Sequence, residues 1–309
     1  MKILLTGASG LVGSAFAQSA TRRGHHVTGL VGTYASNVPG VAIQHTLDLT
    51  NETALTSAIL EAFPDVIVNC AAVSEPAQCD ADPARAQALN VTLPATLARL
   101  SHHLSARFLH LSSEQVFDGT SPTAYTVKSP TKPINLYARQ KVESERLVHT
   151  AAPDFAITLR APLLSGNSLT GRRSLHERLF ADWSAGKTPK VYTDEIRQPC
   201  TAANLAELMV ELLERNDVRG VFHWAGADAL SRHELARRIR AHFKLNDTAA
   251  PLEAITRAAD PRAASKRQAS LALDLKPLVG VVKTPIETFD AQLDQFIIPP
   301  ACRAWYFSA

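Results

Sequence analysis

The sequence predicts a doubly wound α/β protein, a mostly parallel sheet with helices on both faces, followed by a smaller C-terminal lobe. Short apolar runs alternate with helical patterns through the N-terminal half, the rhythm of βαβ units. A glycine run, "TGASGLVG", falls where the first strand passes into the first helix. The run "DVIVNCAA" has no polar/apolar alternation, as expected of a strand covered on both faces.

Taken in order, "KILLTG" reads as the first strand, residues 13–24 as a helix and "HVTGLV" as the second strand. A third strand ends near Asp48 in "LDLT", and a helix over 52–63 leads to "DVIVNCAA". One helical pattern covers 83–104, "RFLHLSS" is a strand, residues 119–135 are a loop rich in Ser, Thr and Pro, and a helix bearing Tyr137 follows. "AITLRAP" (156–162) is again strand-like. Helices are expected over 175–186, 201–216 and 231–243, with "VFHWAG" a strand. Ser231 with Glu234 three residues later has capping-box spacing. Residues 1–160 are therefore expected to form a dinucleotide-binding domain to which later segments such as 190–215 return, and 161–309 mainly a smaller lobe with a C-terminal tail.

A chain of 309 residues can bury a large core, and 46% hydrophobic with 20% charged residues is the balance of a soluble globular protein. A net charge of +3 is too slight to argue for nucleic acid. The basic clusters at 234–244 and 261–268 read as solvated faces or as recognition of a substrate phosphate. Four cysteines without C-x-x-C spacing argue against a zinc site and a disulfide framework, and fit a reducing compartment. "MKILLTGASG" is too short a run for a signal-peptide core or a membrane span. A cytoplasmic protein without a membrane partner is the expectation. Glu114 and Asp118 are isolated acids, for which solvation or capping is the ordinary role, so no metal is assigned.

Gly7, Gly10 and Gly13 stand between a strand and a helix, which turns a weak glycine pattern into a dinucleotide-binding expectation. The backbone of this turn, with Ser9, Leu11 and Val12, would approach a pyrophosphate at the helix N-terminus, where a side chain would block it. This makes the sheet Rossmann-type. At the end of the second strand an acid favours NAD and an arginine NADP. "GLVGTYASN" supplies neither. Thr33, Tyr34 and Ser36 suit either form, Arg22 and Arg23 lie upstream, and the missing carboxylate favours NADP over NAD. Asp48 with Leu49 would meet the adenine edge, or Asp48 or Thr50 would cap the next helix.

"LYARQK" sets Tyr137 and Lys141 four apart, on one helical face. With five tyrosines in the chain that spacing alone decides little. Its surroundings decide more: "TGASGLVG", "PDVIVNCAA", "LSSEQVFDGT", "PINLYARQK" and "RAPLLSG" occur in the order found in extended short-chain dehydrogenase/reductases. The chain is most similar to the dTDP-4-dehydrorhamnose reductase branch, and "NLY", "GVFHWAG" and the aromatic tail also resemble the regulatory beta subunit of methionine adenosyltransferase. The resemblance runs over nearly the whole chain. It implies Ser113, Tyr137 and Lys141 as the catalytic set. Ala71, Ala72 and Asn90 would line or order the cofactor site, with Tyr137 and Lys141 also touching cofactor, and Val73, Ser74, Ser113 and Arg160 would face substrate.

The residue types suit the chemistry. Hydride reduction of a ketone leaves an alkoxide that needs a proton, which a phenol can give. A nearby ammonium would lower the phenol's pKa, and Ser113 would hydrogen-bond the substrate oxygen. Two departures stand out: the family's Asp-Tyr after the serine pair is Glu114-Gln115 here, and the glycine after the tyrosine is Ala138. They leave the fold untouched and bear on which sugar nucleotide is taken. The expectation is an NAD(P)-dependent reductase of a nucleotide-linked keto-sugar, possible as a homodimer. The alternatives are an epimerase of the same superfamily, or a cofactor-binding regulatory subunit docking through "IIPPACRAWYFSA".

Overall fold

The structure, a computed structural model, describes residues 1–260 and 266–308. Of the basic run at 261–268, residues 261–265 lie outside the described residues. The strands β1 (Lys2–Thr6), β2 (His26–Val31), β3 (Ile43–Thr46), β4 (Val66–Asn69), β5 (Arg107–Ser113) and β6 (Ala156–Ala161) join a last strand, Gly220–His223, in one sheet. Its order is Gly220–His223, β6, β5, β4, β1, β2, β3, with every pair parallel. The order reverses between β1 and β4, the switch point at which open α/β sheets bind ligands. The doubly wound Rossmann-type expectation is met.

The helices supply the two outer layers. On one face α1 (Leu11–Arg22) packs against α8 (Ala202–Glu214), and Phe16, Ala17, Leu205, Leu208 and Leu212 bury against β-strand residues such as Ile3, Leu5 and Val68. On the other face α2 (Glu52–Ala62), α5 (Leu93–His103) and α6 (Leu136–Ala151) enclose Leu55, Ile59, Leu97, Phe108 and Val148. "VIVN" in β4 is buried at every residue, which is why it carries no alternation. Arg107 opens β5 and donates to the carbonyls of Leu212, Leu213 and Val218, satisfying the end of α8, where helix carbonyls have no partner of their own. Residues 202–214 and 220–223 thus return to the sheet after the chain has left it.

A second core lies away from the sheet, where α7 (Leu175–Ser184) and α9 (Arg232–His242) bury Leu179, Phe180, Trp183, Leu235 and Ile239. Ser231 caps α9 by accepting from the Glu234 N–H, but Glu234 turns its carboxylate to Arg237 and Arg238 instead of back to the cap. The complete capping box is at Ser174 and Glu177. The single helix expected over 83–104 is instead α4 (Pro83–Gln87), a π-helical turn at Ala88–Thr92, and α5. Pro94 lacks the N–H that an unbroken α-helix needs there, and the wider turn absorbs the mismatch. No helix among the described residues is long and apolar enough to cross a membrane.

Candidate active site

At the end of β1 the chain turns sharply at Gly7, whose φ of +68° favours glycine. The turn is closed by Gly10 N–H donating to the Gly7 carbonyl at 2.9 Å. A Cβ on Gly7 would stand 2.7 Å from the Ala71 nitrogen, so the turn lies directly against the peptide that joins Cys70 and Ala71 just past β4. A Cβ on Gly13 would stand 2.1 Å from the Gly7 oxygen. Gly10, by contrast, would meet only that same oxygen, at 3.1 Å. It caps α1 without any side-chain hydrogen bond, and no acid stands in the first turn. The first N–H groups of the 12-residue helix, those of Leu11 and Val12 among them, are left for an anion. These residues fit a dinucleotide pyrophosphate. Gly13→Ala is expected to cost about 1–3 kcal/mol of stability, read as a lower denaturant midpoint, together with weakened dinucleotide binding in a fluorescence titration.

Ser113 is the last residue of β5, and Tyr137 and Lys141 lie one turn apart in α6. All three are buried. The Lys141 Nζ is 5.9 Å from the Tyr137 ring centroid and donates to the Leu111 carbonyl at 2.9 Å. Cys70, beside Ala71, lies close enough to Lys141 to feel its charge, so the lysine reaches the same end of the sheet as the glycine turn. Asn135 caps α6, its Oδ1 accepting from Ala138 N at 2.8 Å, while its Nδ2 donates to Gln115. Gln115, where the family has an aromatic residue, is therefore tied to the helix that carries the tyrosine.

The electrostatics differ from expectation. Burial pushes the Tyr137 phenol up to about 12, with a hydrogen bond from Ser113 opposing it. Burial also brings Lys141 down to about 8 against the pull of Glu145. The expected lowering of the phenol by Lys141 is absent: burial outweighs the Ser113 hydrogen bond, the charges of Cys79 and Glu114 act with burial, and the ammonium is bonded to Leu111. The phenol is thus held protonated, which is the form a proton donor requires.

Asn90, in the π-helical turn, accepts from Val73 N at 2.9 Å and donates to Val73 O at 3.1 Å and to Gln140 Oε1 at 2.9 Å. It pins the loop of Ala72, Val73 and Ser74 against α6, and Val73 packs against Tyr137. Ser74 is exposed at that loop. Thr33 is exposed beyond β2, while Tyr34 is partly buried against the α1 side of the core. Ser9 stands partly buried in the turn, and Leu49 packs on the core under α2 and α5.

Three expectations need correction. Arg160 does not present a free guanidinium to substrate: it is buried in β6, bonded to both Glu145 oxygens at 2.9 and 2.7 Å, and donates to His223. The cap of α2 is Asn51, whose Oδ1 accepts from Ala54 N at 3.1 Å, and not Asp48 or Thr50; Asp48 instead accepts at one oxygen from the Thr50 N–H at 3.0 Å and hydroxyl at 2.9 Å, which holds its carboxyl below the usual range. Arg22 and Arg23 are drawn to Glu207 and Glu214 on α8, so they lend no support to a 2′-phosphate site.

Sequence reasoning missed a buried charge cluster beside Ser113. Burial pushes the Glu114 carboxyl up to about 8, although Arg197 Nε stands 3.4 Å away. Glu195, also buried, pairs with Arg197 at 3.2 Å, Arg232 at 3.8 Å and Arg267 at 3.0 Å. Only a fold could assemble residues so far apart in the chain. Asp118, the other acid weighed for a metal, accepts from the Tyr125 hydroxyl at 2.7 Å. The tail's Trp305 and Tyr306 pack on that second core, the latter donating to the Phe243 carbonyl, while Phe307 is 80% exposed.

Residues 1–300 match the family described as "RmlD substrate binding domain". The chain is 31% identical over 250 residues to a probable low-salt glycan biosynthesis reductase of Haloferax volcanii, covering 77% of this chain and 79% of that one. It is 30% identical over 249 residues to the methionine adenosyltransferase 2 subunit beta of Xenopus laevis, covering 79% and 72%. With the dTDP-4-dehydrorhamnose reductase of Mycolicibacterium smegmatis it shares 29% over 237 residues, 76% and 67% of the two chains. Among solved structures, the dTDP-4-dehydrorhamnose reductase of Bacillus anthracis in complex with NADP superimposes with a TM-score of 0.80 at 19% identity, over 96% of each chain, a likeness of fold.

Proposed function

Because the chain belongs to the RmlD substrate binding domain family, we propose that it is an NAD(P)-dependent reductase of the extended short-chain dehydrogenase/reductase type, acting on a nucleotide-linked 4-keto-6-deoxy sugar. One observation carries this reading: Ser113, Tyr137 and Lys141 are buried together at the strand ends that also hold the glycine turn. When bound, reduced nicotinamide supplies the hydride. Tyr137 then gives its phenolic proton to the developing alkoxide, and the Ser113 hydroxyl hydrogen-bonds the same oxygen. Lys141, charged below about pH 8, offsets the phenolate left behind. Ala71 and Ala72 line the cofactor, held in place through Asn90. Of the Glu195 cluster, only Arg267, with its side chain 42% exposed, is open to the phosphate of a sugar-linked diphosphate.

NADP is favoured over NAD because no carboxylate follows β2. On this reading residues 1–160, with the returning segments, form the cofactor domain of a cytoplasmic protein that uses neither nucleic acid nor membrane, and light scattering will report whether it is a homodimer. The carrying experiment mixes the purified protein with NADPH or NADH and dTDP-4-dehydrorhamnose and follows nicotinamide absorbance. Oxidation, faster with NADPH, is the expected result. Turnover with no net cofactor change would make it an epimerase.

The similarity to methionine adenosyltransferase beta subunits favours a second reading, a cofactor-binding regulatory subunit. Binding without oxidation, together with a stoichiometric partner in native extract, would establish it. The seating of Trp305 and Tyr306 on their own lobe weakens the idea that they are the docking element.

A further inference from the structure

Beneath the site a chain of hydrogen bonds crosses three strands and ends on Lys141. Its members, Thr6, Asn69, His110 and Ser144, are each at most 1% exposed. The Thr6 hydroxyl donates to Asn69 Oδ1 at 2.7 Å, and Ala71 N–H donates to the same oxygen at 3.2 Å. Two donors on that oxygen fix the amide's orientation, so Nδ2–H points at His110 Nδ1, 3.2 Å away. Nδ1 must then be the bare nitrogen. The ring proton therefore sits on Nε2, 3.0 Å from Ser144 Oγ. Ser144 accepts it and donates onward to the Lys141 carbonyl at 2.8 Å.

Each donor in this chain has its acceptor, and the polarity runs one way. A second ring proton would face the Asn69 amide, and burial followed by the charge of Lys141 holds the imidazole neutral. The residue after His110 completes the grip, since the Leu111 carbonyl accepts from Lys141 Nζ. Lys141 is thereby held at its backbone and at its ammonium. The other end of the chain is Thr6, immediately before Gly7. An apolar residue at this point of β5 would fill the core without desolvating four polar groups, a cost that a buried network repays only when complete.

We propose that His110 is a positioning residue: as the neutral Nε2–H tautomer it locks α6 at Lys141 to the strand presenting Gly7, setting the separation between the dinucleotide turn and the lysine. This rests on the cofactor-binding reading above. The test begins with ligand-free protein carrying ¹⁵N-labelled histidine, whose two-bond proton–nitrogen spectrum reads the protonated nitrogen. An Nε2–H ring is expected, and an Nδ1–H or doubly protonated ring near neutral pH overturns the proposal.

NADPH and NADH affinities are then titrated by fluorescence for His110→Leu and His110→Gln. Gln can accept and donate from one amide, whereas Leu can do neither. The Leu variant is expected to bind about tenfold more weakly, with Gln within about threefold of wild type. A Leu variant that binds like wild type, or a Gln variant as weak as Leu, overturns the proposal. Should Leu fail to fold, Ser144→Ala removes the last link more gently, and unchanged affinity there is equally fatal. Wild-type protein that binds neither dinucleotide sinks the functional reading and this inference together. Wild-type binding with an indifferent Leu or Ala variant sinks this inference alone.

Discussion

Tyr137→Phe is expected to lower turnover by about a thousandfold while changing NADPH affinity by less than about threefold. The substitution keeps the ring, which packs among Val73, Cys79, Ala86 and Leu136, and removes only the oxygen. On the proposed mechanism the lost atom is needed in the transition state, when the alkoxide takes its proton, so the damage belongs in kcat. Single-turnover absorbance measurements with saturating cofactor separate that step from binding. Normal turnover in the variant would remove Tyr137 from the mechanism.

The pH profile is a second reading of the same machinery. With Lys141 brought down to about 8, its charge is present below that pH and lost above it. Wild-type turnover should therefore be level near neutrality and fall as pH rises through about 8. The phenol, pushed up to about 12, stays protonated throughout and contributes no limb of its own. A rate that instead climbs steadily from pH 7 to 10 would mean that the lysine's charge is not what sustains proton transfer.

What the sequence made legible was governed by short-range physics. "KILLTG" and "DVIVNCAA" contained their strands because strands buried on both faces need short apolar runs, and the glycine turn was visible because only glycine meets its backbone demands. Helix α6 was visible through its Tyr-Lys face. The π-turn at Ala88–Thr92 was hidden because the helical apolar pattern of 83–104 runs on through it; Pro94 signals a missing N–H but not how the chain absorbs it, and the Asn90 contacts that reward the π-turn, to Val73 and Gln140, are tertiary. Arg160 was misjudged for a related reason. The resemblance put this strand arginine on the substrate side, and only the fold shows that its partner is Glu145 on a different element. The electrostatic reading of Tyr137 failed because spacing reports a neighbour's charge, while burial, the larger effect here, depends on the whole fold.

Glu145→Ala is expected to destabilise the protein by about 3–5 kcal/mol, the largest stability effect of any single change considered for this chain. Glu145 and Arg160 are 6% and 5% exposed, and the carboxylate takes both guanidinium bonds as well as the Ser112 hydroxyl at 2.5 Å. Removing the acid strands a buried guanidinium. Phe117, whose ring lies 5.2 Å from the guanidinium carbon, and His223 at 3.3 Å offer only partial compensation. The double variant Glu145→Gln with Arg160→Met removes both charges and is expected to be more stable than Glu145→Ala, because an absent pair costs less than an orphaned charge. Urea unfolding near pH 7 measures both. Equal stability of the two variants would mean that the pair is not electrostatically coupled. The same carboxylate lies one turn from Lys141 and favours its charged form. Its loss should therefore shift the alkaline fall in turnover to lower pH in whatever fraction of the Glu145→Ala protein remains folded, tying the stability of the core to the protonation of the site above it.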